Sequence, residues 1–286
     1  MTFPVIILLF AKGLTVGGIY ALISLGFNMI QRTTGILNFA QGEFVMVGGL
    51  GAAWLWHGLG LPLAAAMPGG ALLAGLAGWL SYQAALRPAA GASVTIRIII
   101  TIGLAIVLRA VAALAWGTEP LHLPPLAEGG VTLPGGVVLD WQSVAVLAAV
   151  AAGMPALAWF FRCTAAGRAM QACAGNPDAA RLCGISPDRV AAQAFAISAF
   201  LAGGAGVLLT PMLSMSFDGG TMLGLKGFAA AVLGGVGHPA AGVAGGLALG
   251  ILEQHACWWS SVYKDTLALA AVLALLLIRP KGLLVR

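Results

Sequence analysis

Charge is what this sequence has least of. Of its 286 residues, 8% are Asp, Glu, Lys or Arg, and 60% are hydrophobic. A soluble globular chain carries roughly 25% charged residues. So few charges cannot cover a surface exposed to water, so the solvent for most of this chain is lipid. The mean hydropathy of +0.99 agrees. Cysteine is scarce as well: Cys163, Cys173, Cys183 and Cys257 form no CxxC pair. Three of the four fall in one basic loop, where a reducing compartment is expected to leave them as free thiols. The histidines are scattered, and HExxH, GxSxG and clustered metal ligands are all missing, so neither a catalytic residue nor a metal site is expected. The stretch 237–244 has GxxxxG spacing but lacks the Lys and Ser/Thr that hold phosphate and metal. This chain therefore binds no cofactor of its own in this reading. The net charge of +5 is spread over short segments with no basic stripe, which argues against nucleic acid. No basic region precedes the first apolar stretch, so that stretch is read as a retained span.

What is present is a succession of apolar runs. They predict an all-α, polytopic transmembrane helical bundle, a single domain over 1–286, with about eight spans. The spans fall near 4–30, 35–56, 61–86, 98–116, 141–161, 190–213, 239–257 and 260–278. A broken or re-entrant region lies at 219–237. Glycine is abundant, with 41 residues, and Gly13/Gly17 and Gly246/Gly250 form GxxxG pairs that favour close helix contact. Trp54, Trp56, Trp79, Tyr82, Trp116, Trp141, Trp159, Trp258 and Trp259 cluster at span ends, as an interfacial aromatic belt does.

Arg32, Arg87, Arg97, Arg162, Arg168, Arg181, Arg189, Arg279, Lys281 and Arg286 fall on one side of this scheme. The positive-inside rule makes that side cytoplasmic. The loop 117–140 has Glu119, Glu128 and Asp140 and no Lys or Arg, and is expected in the periplasm. The N-terminus then lies outside and the C-terminus inside. Such termini need an odd number of crossings, so either 219–237 is an extra crossing or one span is re-entrant. Lys264 and Asp265 are expected at the interface, with pairing between them open.

The loop 162–189 has clear helix punctuation. Thr164 caps a helix that Gly175 ends, and Asn176 caps a second one with Pro177 at its first position and Asp178 beside it. Gly184 ends the second helix, in a left-handed conformation, and Ser186-Pro187 start the next. A helix of about two turns is not stable alone in water and needs something to pack on. That partner is either this protein's own spans or another subunit. Ala180 is expected to face outward, where a small side chain permits docking.

Charges inside apolar stretches must face protein or an aqueous path. Glu43 has two readings: a pathway residue, or a structural pair near the interface. Asn28, Asn38 and Gln41 line a polar route with it in the first reading and make interhelical hydrogen bonds in the second. Arg109 and Glu253 are read as structural charges.

Asp178-Ala179-Ala180-x-x-x-Gly184 resembles the EAA-x-x-x-G loop of ABC importer permeases, with Asp in place of Glu. The wider string from Gly167-Arg168-Ala169 to Gly184-Ile185 resembles the branched-chain amino acid permeases of that class. Gly13-Leu14-Thr15-Val16-Gly17-Gly18-Ile19-Tyr20-Ala21-Leu22 and Asn38-Phe39-Ala40-Gln41-Gly42-Glu43-Phe44-Val45-Met46 are similar to the family's first two span signatures. Leu233-Gly234-Gly235-Val236-Gly237 with Gly245-Gly246 is similar to its late glycine motif. Gln171 departs from the family, where Arg is expected. The resemblance implies that 162–189 is a cytoplasmic coupling loop, with Gly167, Arg168, Asp178, Ala179, Ala180 and Gly184 engaging an ATPase. It also implies a second permease subunit in a homo- or heterodimer, two ATP-binding subunits carrying ATP and Mg, and a periplasmic substrate-binding protein, all at a bacterial inner membrane. Leucine, isoleucine and valine are the default substrates, with urea, short amides and other amino acids open. A self-sufficient secondary transporter or channel is the rival reading, since broken helices and midplane polar residues fit it too. A membrane-embedded enzyme is third, and lacks the acid, base or metal cluster it needs.

Overall fold

The computed structural model describes residues 3–133, 136–259 and 263–278. Within these described residues eleven α-helices and one hairpin follow in order: α1 (Phe3–Thr34), α2 (Gln41–His57), α3 (Leu63–Ser81), α4 (Val94–Trp116), β1 (Gly130–Leu133), β2 (Val137–Asp140), α5 (Trp141–Cys163), α6 (Ala165–Gly175), α7 (Pro177–Leu182), α8 (Pro187–Leu209), α9 (Gly219–Gly234), α10 (Pro239–Trp259) and α11 (Lys264–Ile278). A π-helical turn over Tyr82–Leu86 extends α3. The bundle agrees with the all-α expectation. The exception is the two-stranded antiparallel hairpin, which pairs Gly130 with Asp140 and Leu133 with Val137. Asp140 then caps α5, its carboxylate accepting from the Ser143 N–H and hydroxyl.

Among the described residues five helices, α1, α3, α4, α5 and α8, are long and apolar enough to cross a membrane, or six if α9 and α10, bent by 118°, count as one broken span. The expected count of about eight spans, with broken or re-entrant helices among them, is not confirmed. One reason is visible at α2, a 17-residue helix that begins inside the bundle. Gly35, at φ +70°, breaks off the C-terminal end of α1. The chain then turns back, and Gln41 lies against Gly26, about two helical turns before α1 ends. The inward segment satisfies its backbone with side chains: Asn38 Oδ1 accepts from the Ala40 N–H, and Thr101 Oγ1 of α4 from the Phe39 N–H. Non-helical backbone at such depth is tolerated when protein covers it.

In lipid, helices gain little from burying apolar area against one another, so close van der Waals packing holds them. The two predicted GxxxG pairs face each other. A methyl group added at Gly13 would meet Ile251 Cα at 2.8 Å, and one at Gly17 would meet the Gly246 carbonyl at 2.8 Å. Thus α10 runs antiparallel to α1 at backbone contact. By contrast α4 leaves Ile99, Ile106 and Leu114 exposed on an apolar outer face. Trp54, Trp79, Trp141, Trp159 and Trp258 are exposed, as a belt requires, but Tyr82 is buried against Phe195 at 5.4 Å between ring centroids. It borders the cavity that Arg32 and Arg97 also line, so it sits at a span end but faces protein.

The hairpin and α6–α7 sit at opposite ends of α5. Arg32, Arg97 and Arg181 converge on one cavity at the α6–α7 end. Arg279, Lys281 and Arg286 lie outside the described residues.

Candidate functional site

The loop between α5 and α8 is built as its caps dictate. Thr164 Oγ1 accepts from the Gly167 N–H at 2.9 Å and starts α6. Asn176 Oδ1 accepts from the Asp178 and Ala179 N–H groups, both at 3.0 Å, and starts α7. At the far end the Gly184 N–H donates to Arg181 O and the Ile185 N–H to Ala180 O. With Gly184 at φ +79° this is a Schellman motif. Gly167 allows α6 to touch α5: an added Cβ would collide with the Phe160 carbonyl. Arg168 donates to Cys163 O and Gln171 to Phe161 O, so both cover carbonyls that the end of α5 leaves open. Burial pushes the Cys173 thiol above its ordinary range, partly opposed by Arg181.

One expectation is reversed here. Ala180 is 4% exposed and belongs to the main core cluster, so it faces inward. A single residue per turn of so short a helix can face the bundle, and the Schellman turn aims Ala180 there. The outward side carries Asp178, Ala179, Arg181 and Leu182, the last 91% exposed. Asp178 and Arg181 pair with each other at 2.9 Å on the surface.

Inside the bundle, the four polar candidates part company. Asn28 donates to Ser24 O and accepts from the Gly237 N–H, tying α1 to the turn before α10. Gln41 and Ser198 bond each other, joining α2 to α8. Asn38 holds its own turn. Of the four, Glu43 alone lines a cavity of about 510 Å³, which Arg109, Thr221, Phe27, Phe39 and Phe228 also border. Thr221 donates to Glu43 Oε1 at 2.9 Å, and Arg109 Nη2 stands 3.6 Å from the same oxygen. The close approach of α2 to α9 depends on Gly42, which touches Gly220 and Gly224. Sequence reasoning set Arg109 apart from Glu43; the period of α4 gives no hint of which helix it meets.

A second charged group was also unpaired in the sequence. Lys226 on α9 is bonded to Glu253 of α10 at 2.9 Å, Asp265 of α11 at 2.7 Å and the Tyr20 hydroxyl of α1 at 3.1 Å. Tyr20 donates in turn to Glu253 at 2.7 Å. Four helices meet at this one ammonium. No group of three or more potential metal ligands occurs among the described residues.

Residues 9–278 match the family described as the branched-chain amino acid transport system permease component. The chain belongs to this family. It is 35% identical over 289 aligned positions to the high-affinity branched-chain amino acid transport system permease protein LivH of Escherichia coli K12, covering 96% of this chain and 94% of that protein. It is 33% identical, with the same coverage, to the permease protein BraD of Pseudomonas aeruginosa PAO1. A probable permease of the same kind from Methanocaldococcus jannaschii is 27% identical over 92% of this chain and 87% of its own length. No solved structure matches the chain. As a family member it is a multi-pass transport permease rather than an enzyme, and the permease is one component of a larger system.

Proposed function

We propose that this chain is one of two membrane-spanning subunits of an ATP-driven importer of branched-chain amino acids at a bacterial inner membrane. The relatives are permeases of branched-chain amino acid transport, which supports that substrate class. A periplasmic binding protein delivers the substrate, a second permease completes the path, and two ATP-binding subunits carry ATP and Mg. ATP and loaded binding protein each favour one state of the bundle, and that difference in affinity drives the switch of access.

The observation that carries this reading is α7. It is a six-residue helix, capped at both ends and anchored by buried Ala180, with Leu182 held almost fully in solvent. An exposed leucine on a rigid short helix suits docking in a cleft of a partner. A carrier working alone needs no such feature. On this reading Asp178, Ala179 and Leu182 make the contact, Gly184 and Ala180 hold the helix in shape, and Gly167 and Arg168 fix the loop to α5. Glu43 faces the pathway, while Asn28, Asn38 and Gln41 brace the helices around it.

Leu182→Asp tests this directly. It leaves the spans untouched, so the permease is expected in the membrane at its normal amount. The ATP-binding subunits are expected to be lost on copurification, with uptake of leucine falling in parallel. Full uptake with bound ATPase would overturn the coupling role of α7.

A further inference from the structure

The cavity at Glu43 holds both signs of charge against an aromatic wall. Glu43 is 1% exposed, and the Arg109 side chain lies across from it with 33% exposure. Their closest approach of 3.6 Å is longer than the roughly 2.7–2.9 Å of a charge-assisted hydrogen bond. Each also keeps bonding capacity in reserve, since Glu43 Oε2 and Arg109 Nε are buried with no partner. Arg–carboxylate pairs are frequently bidentate; this one is a single, longer contact. Opposite it, Phe228 packs on Phe27 at 5.7 Å and on Phe39 at 5.8 Å between ring centroids. The volume of about 510 Å³ lies within the roughly 300–1,000 Å³ of small-molecule sites.

We propose that this cavity is an intramembrane binding site for a free amino acid with an apolar side chain. Glu43 receives the α-ammonium group, Arg109 the α-carboxylate, and the three phenylalanines the side chain. The proposal rests on the reading of the chain as an amino acid permease and adds to it a selectivity site in the permease itself. A zwitterion brings one charge of each sign, so the filled site stays neutral. A lone cation or anion would leave one protein charge unopposed in a medium of low dielectric, at a large cost. Glu43 Oε2 is turned against Gly220, so the ammonium is received at Oε1, which keeps acceptor capacity beside the Thr221 hydroxyl. The attraction between Glu43 and Arg109 competes with the ligand, so binding is weak enough to permit release, as passage requires.

The test uses the assembled complex in nanodiscs, without binding protein, and radiolabelled leucine. Saturable binding is expected. Isoleucine, valine and phenylalanine should compete, whereas 4-methylpentanoate, which lacks the ammonium, and 3-methylbutylamine, which lacks the carboxylate, should not. Glu43→Gln and Arg109→Gln should each weaken leucine binding by about tenfold or more, and Phe228→Ala should weaken it while favouring phenylalanine over leucine. Glu43→Gln is nearly isosteric, and copurified ATPase reports that each variant is assembled. Competition by either single-charge analogue as strong as leucine's overturns the site. So does unchanged leucine binding and uptake in both charge variants, and the importer reading then still stands. A wild-type complex that neither binds nor imports any apolar amino acid overturns the functional reading and the site with it.

Discussion

At Gly184 the backbone sits at φ +79°, and an added Cβ would meet nothing within 4 Å. Only conformation resists substitution there. Gly184→Ala should therefore cost about 1 kcal/mol of loop stability, and a β-branched Gly184→Val more. Limited proteolysis between α7 and α8 reads this out, and cutting as slow as in the native chain would contradict it. Ala180 and Leu182 make a sharper contrast. Ala180→Glu puts a charge into the core cluster and should loosen the loop from the bundle, with faster proteolysis. Leu182→Asp should remove docking while leaving proteolysis unchanged. If the two behave alike, the inward and outward assignments are wrong. Cys173 adds a chemical check. It is buried while Cys163 and Cys183 are exposed, and its raised pKa means less thiolate at any given pH below it. Iodoacetamide at neutral pH should modify Cys163 and Cys183 well before Cys173, as peptide mass mapping would record.

Among the elements, α1, α9, α10 and α11 are joined at Lys226. Lys226→Met leaves Glu253 and Asp265 without their cation in an apolar setting, so it should destabilise the bundle by about 3–5 kcal/mol. Tyr20→Phe removes one donor to a carboxylate and should cost about 1.5–3 kcal/mol. Thermal unfolding in detergent distinguishes them, and equal small shifts would mean the network is dispensable. These contacts mark where the sequence stops being informative. Apolar runs placed most helices near their observed positions, because hydropathy and glycine positions act locally. Caps at Thr164, Asn176 and Gly184 were readable for the same reason, since each bonds within a few residues of itself. The partners of Lys226, Arg109 and Glu43 lie on other helices, and no local spacing encodes which helices meet. The hairpin at 130–140 went unread because two four-residue strands leave a faint pattern, although β-branched residues flank Pro134-Gly135-Gly136. The GxxxG pairs at Gly13/Gly17 and Gly246/Gly250 were visible one at a time; that they face each other is tertiary. The inward-turning start of α2 was hidden too, because its apolar run is continuous with the segment before it.

Over the whole molecule, charge is distributed by end. Arg32, Arg97 and Arg181 gather around a cavity of about 470 Å³ beside α6 and α7, with Asp188 among them. Arg162 closes α5 and Arg168 bonds to its last residue, at the same end. The other end carries the hairpin, and residues 117–140 include Glu119, Glu128 and Asp140 without a Lys or Arg. Basic residues in short loops resist translocation, which is the physical content of the positive-inside rule. The α6–α7 end is thus expected in the cytoplasm and the hairpin in the periplasm. Orientation and coupling stand together, because ATP-binding subunits reach α7 only from the cytoplasm. The measurement uses a chain with its four cysteines replaced and one new thiol, Arg181→Cys or Glu128→Cys, both at surface positions. A membrane-impermeant maleimide should label Glu128→Cys in intact cells and Arg181→Cys only in inverted vesicles. If Arg181→Cys reacts in intact cells, the orientation is reversed and α7 cannot meet an ATPase. The assignment of this chain to an ATP-driven importer would then lose the feature that most directly supports it.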